Sequence, residues 1–388
     1  MPRVEINLTA LTHNAKVLSE RYRSRGLELA AVTKGVCGDP RVARALMEGG
    51  LSTLADARIR NIERMVEAGI EGPFMLIRPP ALCNTERVVR LAAMSINTEI
   101  ATIESLSRQA ERLGMRHGIV LMVEMGERRE GILPRNLPHH VEKVLALTGV
   151  ELRGLAANWA CLTSVMPTPD RMRRFSDICR QIGNRFDLHL EIVSGGNSAN
   201  HNWAMGCENP GPVNHFRLGE ALLLGRETSQ GEAIEGLETQ AFTLVAHIIE
   251  SKQKSSRQAA ETERGQSGLP KPSNPPSSRR IIVALGEQDV PAKSVRPRAR
   301  ALIVGACGDQ MVLTTRDPKL GVGSELRFDL TYRGLVGAMT SPYVTKKYVH
   351  THAVQWRTRQ SPAEIPAGHH LASEYSRRPS RDWTPLSL

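Results

Sequence analysis

Residues 27–38 read LELAAVTKGVCG. A short apolar run, Leu27–Thr33, ends at Lys34, and Gly35 and Gly38 then break the chain. A run of this length bounded by glycines reads as a buried strand with a lysine at its C-terminal end. The same texture recurs downstream, with candidate strands at Leu51–Ala55, Phe74–Ile77, Met94–Asn97, Ile119–Val123, Leu152–Ala157, Leu188–Val193 and His215–Leu218. Amphipathic stretches separate most of them: Asn61–Ala68, Glu86–Ala93, Ile103–Leu113, His139–Leu147 and Arg171–Phe186. A helix after each strand forces a parallel sheet, and eight such units close a barrel. The expected fold is therefore α/β, a (β/α)8 TIM barrel followed by a smaller, mostly-β domain. An open doubly wound sheet would place a Gly-x-Gly-x-x-Gly turn after its first strand, and TKGVCGD at 33–39 has none.

Past about residue 230 the pattern shortens. Phe242–Glu250, Arg280–Leu285, Ala301–Val304, Met311–Thr314 and Glu325–Leu330 read as strands between Gly, Asp and Pro. The expected division is a barrel over 1–230, a β domain over 231–348 and a poorly ordered tail over 349–388. Residues 251–279, polar and rich in Ser and Pro, read as a flexible insertion within the β domain. The net charge of +11 sits mostly in 251–280 and 344–388, which together hold nine of those charges. With only 4% aromatic residues and no basic helix, solvated basic loops explain it better than nucleic-acid binding. No apolar run approaches membrane-span length, and the six cysteines form no Cys-x-x-Cys pair. A cytoplasmic location without disulfides or a thiolate metal site is the expectation.

In a barrel the C-terminal strand ends form the mouth of the active site. A lysine there enters a partly desolvated cavity, which favours its neutral, nucleophilic form. SGGNS (194–198) follows the seventh strand, and RLGEALLLG (217–225) covers the end of the eighth. The loops after these two strands commonly hold phosphate, with glycines letting N–H groups approach and Ser198 adding a hydroxyl. Lysine plus phosphate cradle suits pyridoxal 5'-phosphate, bound to Lys34 as a Schiff base. An arginine can only donate hydrogen bonds, so Arg217 facing the pyridine nitrogen would leave that nitrogen unprotonated. A weaker electron sink favours prompt return of the proton to Cα, hence racemisation over transamination.

AVTKGVCGDP (31–40), LADARIRNIERM (54–65), VEMGERREGI (123–132), SGGNSAN (194–200) and FRLGEALLLGRET (216–228), in this order, resemble the fold-type III pyridoxal-phosphate enzymes. Within that group the chain, from about residue 3 to about 345, is similar to the ornithine/alanine racemase family. The resemblance implies an amino-acid racemase acting on ornithine, alanine or a related substrate. Lys34 would be one of two catalytic bases, and Arg129 would lie near the cofactor's phenolic oxygen or the substrate carboxylate. Asn158 would replace a ring-stacking histidine. Ser198 and the backbone of Gly219 and Glu220 would hold the phosphate, and Arg217 the pyridine nitrogen. Asn97 and Glu99 would line the mouth. Ala57 stands where many relatives have serine.

Racemisation needs an acid/base group on each face of a planar carbon. Alanine racemases take the second from a tyrosine of the partner subunit. Here Glu287, in GEQDV (286–290), holds that position, and Tyr332, Tyr343 and Asp309 are further candidates. The resemblance therefore implies a homodimer. Two other classes remain open. One is a non-catalytic pyridoxal-phosphate carrier, against which the β domain argues. The other is an aldolase or dehydratase for D-hydroxy amino acids, which would need a metal. His350 and His352 would share one face of a strand, but no third ligand is evident, and His369 and His370 fall further along the tail. No metal is expected.

Overall fold

The computed structural model describes residues 1–253 and 279–350. The chain opens with strand β1 (Arg3–Asn7) and helix α1 (Leu8–Arg23). Asn7 caps α1 by accepting the N–H of Ala10 (3.2 Å). Eight strands then follow: β2 (Glu28–Val32), β3 (Thr53–Asp56), β4 (Phe74–Leu76), β5 (Met94–Asn97), β6 (His117–Met122), β7 (Val150–Ala156), β8 (Ile192–Ser194) and β9 (His215–Leu218). They close in sequence order, β9 pairing back onto β2, into a parallel barrel. The intervening helices are α2 (Pro40–Glu48), α3 (Ile59–Glu67), α4 (Thr85–Leu91), α5 (Ile100–Arg112), α6 (Leu137–Leu145), α7 (Pro169–Phe186) and α8 (His201–Gly206), with α9 (Glu220–Leu224) after the last strand.

Side chains alternate across each barrel strand, as the period of two requires. Ala30, Val32, Ala55, Met75, Met94, Ile96, Val120, Met122, Ala156 and Ile192 pack together inside the barrel. Leu29, Ala31, Leu54, Phe74, Leu76, Ile119, Leu121 and Leu155 belong instead to the layer beneath the helices. Every expected barrel strand is present, two of them residue for residue and the others with ends shifted by a few residues.

The second sheet is antiparallel in most of its pairings. It runs β12 (Val295–Pro297), β15 (Glu325–Leu330), β10 (Phe242–Lys252), β11 (Arg279–Val283), β14 (Met311–Thr315), β13 (Ala301–Ala306). Strand β1 pairs antiparallel with β10 and parallel with β16 (Thr345–Val349). The chain start thus belongs to this sheet and not to the barrel. Three elements depart from expectation. Ser251, Lys252 and Arg279, at the margins of the expected insertion, are strand residues; the rest of that segment lies outside the described residues. Val349 ends a strand, and the tail beyond His350 lies outside them too. The segment from Tyr332 is a helix, α10 (Tyr332–Thr340), with Thr331 as its cap.

The sheet is fastened to the barrel mouth. Asp39 caps α2 by accepting the N–H of Arg41 and Val42, and its other oxygen takes the hydroxyl of Tyr348 on β16 (2.5 Å). The Arg41 guanidinium stacks over the Tyr348 ring at 4.3 Å.

Candidate active site

A cavity of about 570 Å³ opens at the C-terminal end of the barrel strands. Lys34, Arg129, Asn158, Ser198, Arg217, Gly219, Glu220 and Tyr332 all line it. These are every cofactor-binding residue expected from the sequence, and two of the three expected catalytic ones.

Lys34 begins a 3-10 turn directly after β2, and its side chain reaches into open space. The turn is fixed from below. Thr33 donates its hydroxyl to Asp56 (2.8 Å), which also accepts the Arg58 N–H and the Asn61 amide (both 2.9 Å). Burial pushes the Asp56 carboxyl above the ordinary carboxylate range.

Across the mouth, Ser198 Oγ accepts the N–H groups of Gly219 and Ala221, each at 3.2 Å. Two backbone donors and one hydroxyl thus converge. Gly219 and Glu220, whose backbone was expected to hold the phosphate, both line the cavity here. The preceding loop needs its glycine: Gly196 has φ +148°, and a Cβ there would lie 2.1 Å from Asn200 Oδ1.

Arg217 is almost wholly buried. It donates to Ala157 O (2.7 Å) and to Ser194 Oγ, which in turn meets His215 Nδ1 at 2.8 Å. Burial first, and Arg129 second, lower the Arg217 pKa to about 10, so it stays cationic at neutral pH. Burial lowers His215 to about 3, so that ring is neutral. Because Arg217 only donates, Ser194 Oγ accepts from it, and the same oxygen is hydrogen-bonded to His215 Nδ1. This three-residue chain fixes the guanidinium and went unseen in the sequence.

Arg129 is committed to both carboxylate oxygens of Glu130 and to Cys161 Sγ (2.6 Å). Glu127, almost fully buried, collects the N–H groups of Cys161 (3.0 Å), Leu162 and Thr163 (2.9 Å) on one oxygen. That carboxylate ties the loop after β6 to the loop after β7. Asn158 accepts from Asn197 Nδ2 (3.0 Å), while its own Nδ2 is buried without a partner among the described residues.

Tyr332 arrives from the second sheet at the first turn of α10. Its ring lies where a side chain on Gly35 would be, 2.9 Å from the position of a Cβ. Burial, then the charges of Glu220 and Asp56, push its phenol up, so it carries its proton at neutral pH.

Other expected residues stand elsewhere. Glu287 is exposed on a turn, accepting the Ala292 N–H (3.1 Å), outside this cavity. Asp309 and Tyr343 are outside it too. Asn97 is buried and folds back onto Ser95 (2.9 and 3.0 Å), Glu99 is exposed before α5, and neither is among the residues that line this cavity. Among the described residues no group of three His, Cys, Asp or Glu is arranged for a metal, and His352, His369 and His370 lie outside them. Arg78, Asn197, Thr228 and Cys161 line the cavity without having been expected there. Position at a strand end could have signalled Arg78.

The profile of a family described as "Alanine racemase, N-terminal domain" matches residues 6–227, more than half of the chain. The chain belongs to the alanine racemase family. An ornithine racemase of Acetoanaerobium sticklandii is 31% identical over 89% of this chain and 99% of its own. A lysine racemase of Thermotoga maritima is 34% identical over 89% and 98%. Among solved structures, a Clostridium difficile alanine racemase superposes with TM-score 0.69 at 18% identity, covering 90% of this chain and 95% of its own. A D-threonine aldolase from Filomicrobium marinum reaches 0.69 at 16% identity, with 87% and 88% covered. Identities this low establish the shared fold alone.

Members of the alanine racemase family depend on pyridoxal 5'-phosphate, and the cavity suits it. An accessible primary amine, Lys34, can bond an aldehyde. Ser198 with the Gly219 and Ala221 N–H groups can take a phosphate. A buried cation, Arg217, can face the ring nitrogen, and the orphaned Asn158 amide is a ready donor on the same wall.

Proposed function

We propose that this protein, an amino-acid racemase dependent on pyridoxal phosphate, acts on a basic amino acid of the ornithine or lysine class. The convergence of the Lys34 amine, the buried Arg217 cation and the Ser198–Gly219 donor set on one cavity carries the reading. Similarity to racemases named for ornithine and lysine extends over nearly the whole chain. Similarity to alanine racemases, such as one of Caldanaerobacter subterraneus at 25%, covers about half. The carboxylate of Glu220 on the cavity wall gives a side-chain ammonium a partner.

Bound pyridoxal phosphate draws electrons from the substrate Cα and acidifies its hydrogen. The Lys34 amine, at the end of β2, moves that proton on one face. Tyr332, protonated and held against Gly35, supplies a proton donor at the same cavity, and Glu287 of a second copy is the other candidate. Arg217 holds the ring nitrogen without protonating it, steadied by Ser194 and His215. The barrel and the second sheet, to which β1 and β16 belong, work as one enzyme, assembled as a cytoplasmic homodimer. Six unpaired cysteines agree with a reducing compartment. No helix among the described residues is long and apolar enough to cross a membrane.

The test is a set of L-amino acids in deuterated water with the loaded protein, following inversion and deuterium uptake at Cα by proton NMR. Ornithine or lysine turning over ahead of alanine is the expected result. Absence of exchange with every amino acid would refute the reading, as would release of glycine from D-threonine without any inversion.

A further inference from the structure

The turn that carries Lys34 is gripped at both ends by one residue. Thr33 opens the turn. Its N–H donates to Ala55 O (2.9 Å), and its carbonyl accepts the N–H groups of Val36 (3.0 Å) and Gly38 (3.2 Å). Gly38 closes the turn at φ +60°, seated so tightly on Asn61 that a Cβ would lie 2.7 Å from the Asn61 Cβ. Asp56, the last residue of β3, reaches both ends. One of its oxygens accepts the Thr33 hydroxyl (2.8 Å), and the other accepts the Asn61 amide and the Arg58 N–H (both 2.9 Å). Asp56 and Thr33 are fully buried.

All three partners have a hydrogen to give. An ionised carboxylate satisfies such a set, whereas a side-chain amide, which donates at one end, does not. Burying a carboxylate is costly even when it is hydrogen-bonded, and an apolar side chain could fill the space beneath a strand end without that cost. What the carboxylate adds is a fixed turn. Of residues 33–38, Lys34 alone lines the cavity. A lysine side chain is a long flexible stem, so its amine is only as well placed as the backbone it starts from. When that backbone drifts, the effective concentration of the amine at an aldehyde falls.

Resting on the racemase reading above, we infer that Asp56 is a positioning residue for the reaction. Through Thr33 and Asn61 it fixes the backbone from which the Lys34 amine meets the cofactor aldehyde and the substrate hydrogen at Cα.

The experiment compares two probes on the full chain freed of cofactor. Pyridoxal 5'-phosphate can bond Lys34, and 4-deoxypyridoxine 5'-phosphate, which lacks the aldehyde, can only occupy the same cavity. The rate of imine formation is read by absorbance after rapid mixing, with borohydride trapping to locate it at Lys34. Affinity for the aldehyde-free probe is read by calorimetry. The proteins are wild type, Asp56→Asn, Thr33→Val and Thr33→Ser. In Asp56→Asn and Thr33→Val the imine forms about 10- to 100-fold more slowly, while the aldehyde-free probe binds within about twofold of wild type. Thr33→Ser, which keeps the hydroxyl, restores most of the rate. Should Asp56→Asn fail to fold, the two Thr33 variants decide alone. The inference is overturned if Thr33→Val forms the imine as fast as wild type, if it weakens the aldehyde-free probe as much as it slows the imine, or if Thr33→Ser is no better than Thr33→Val. Wild-type protein that forms no imine at Lys34 would refute the racemase reading and this inference with it. Wild type and Thr33→Val forming it equally fast would refute only the inference.

Discussion

Replacing Glu127 by alanine isolates the contact that joins the two loops over the cavity. One oxygen of its buried carboxylate accepts three consecutive backbone N–H groups, those of Cys161, Leu162 and Thr163. A hydrogen bond to a charged acceptor contributes about 1.5–3 kcal/mol. Leu162 is 66% exposed and Cys161 is exposed, so water can replace part of what is lost. About 1 kcal/mol for each of the three donors is then a fair lower figure, or about 3 kcal/mol for opening the loop. At about 1.4 kcal/mol per tenfold, amide exchange at 161–163 should accelerate on the order of 100-fold. Hydrogen–deuterium exchange by mass spectrometry reads these amides directly. Glu127→Gln retains an acceptor oxygen without the charge and should give an effect of about tenfold. Because the loop carries Cys161 against Arg129, the substrate KM should rise in the same order. Exchange at 161–163 unchanged within about threefold in Glu127→Ala would show that the carboxylate does not hold the loop.

Acid should destabilise the protein through its buried histidines. Burial lowers His117 and His201 to about 4 and His215 to about 3, whereas unfolded histidine titrates near ~6.5. The unfolded chain therefore binds more protons below that value. The stability contributed by the neutral rings is intact above it and is lost as pH falls toward 4, by about 1.4 kcal/mol per pH unit for each ring. Urea unfolding at about pH 7.5 and 5.5 should show the loss, and equal midpoints would mean the rings are already charged in the folded state. Gly35→Ala would set a methyl 2.9 Å from the Tyr332 ring and displace it. The turnover number should fall about 100-fold or more, matching Tyr332→Phe, and full activity in either variant would remove Tyr332 from the chemistry.

The barrel was legible because its strands are short apolar runs with helix-period segments between them. Met94–Asn97 and His215–Leu218 match residue for residue. The seventh strand was overextended because Leu188 and Leu190 look like strand residues but pack from a loop against the helical layer. Strand β1 escaped notice because its partners, β10 and β16, lie more than 230 residues along the chain, beyond any local pattern. Helix α10 was hidden by Gly334 and Gly337, poor helix formers. Gly334 is needed there because a Cβ would lie 2.4 Å from Ser294 O. In the site, Lys34, Ser198 and Arg217 were legible as strand-end residues of distinctive type. The Glu127 clamp and the Ser194–His215 support of Arg217 join side chains from different strands and loops, and spacing along one segment carries no trace of such pairings.

The central claim concerns the Lys34 amine. Protein loaded with pyridoxal phosphate, reduced with borohydride and digested, should yield a phosphopyridoxyl group on the peptide containing Lys34, and Lys34→Ala should yield none. A stable adduct on another lysine, or wild-type protein that traps no cofactor, would contradict the account.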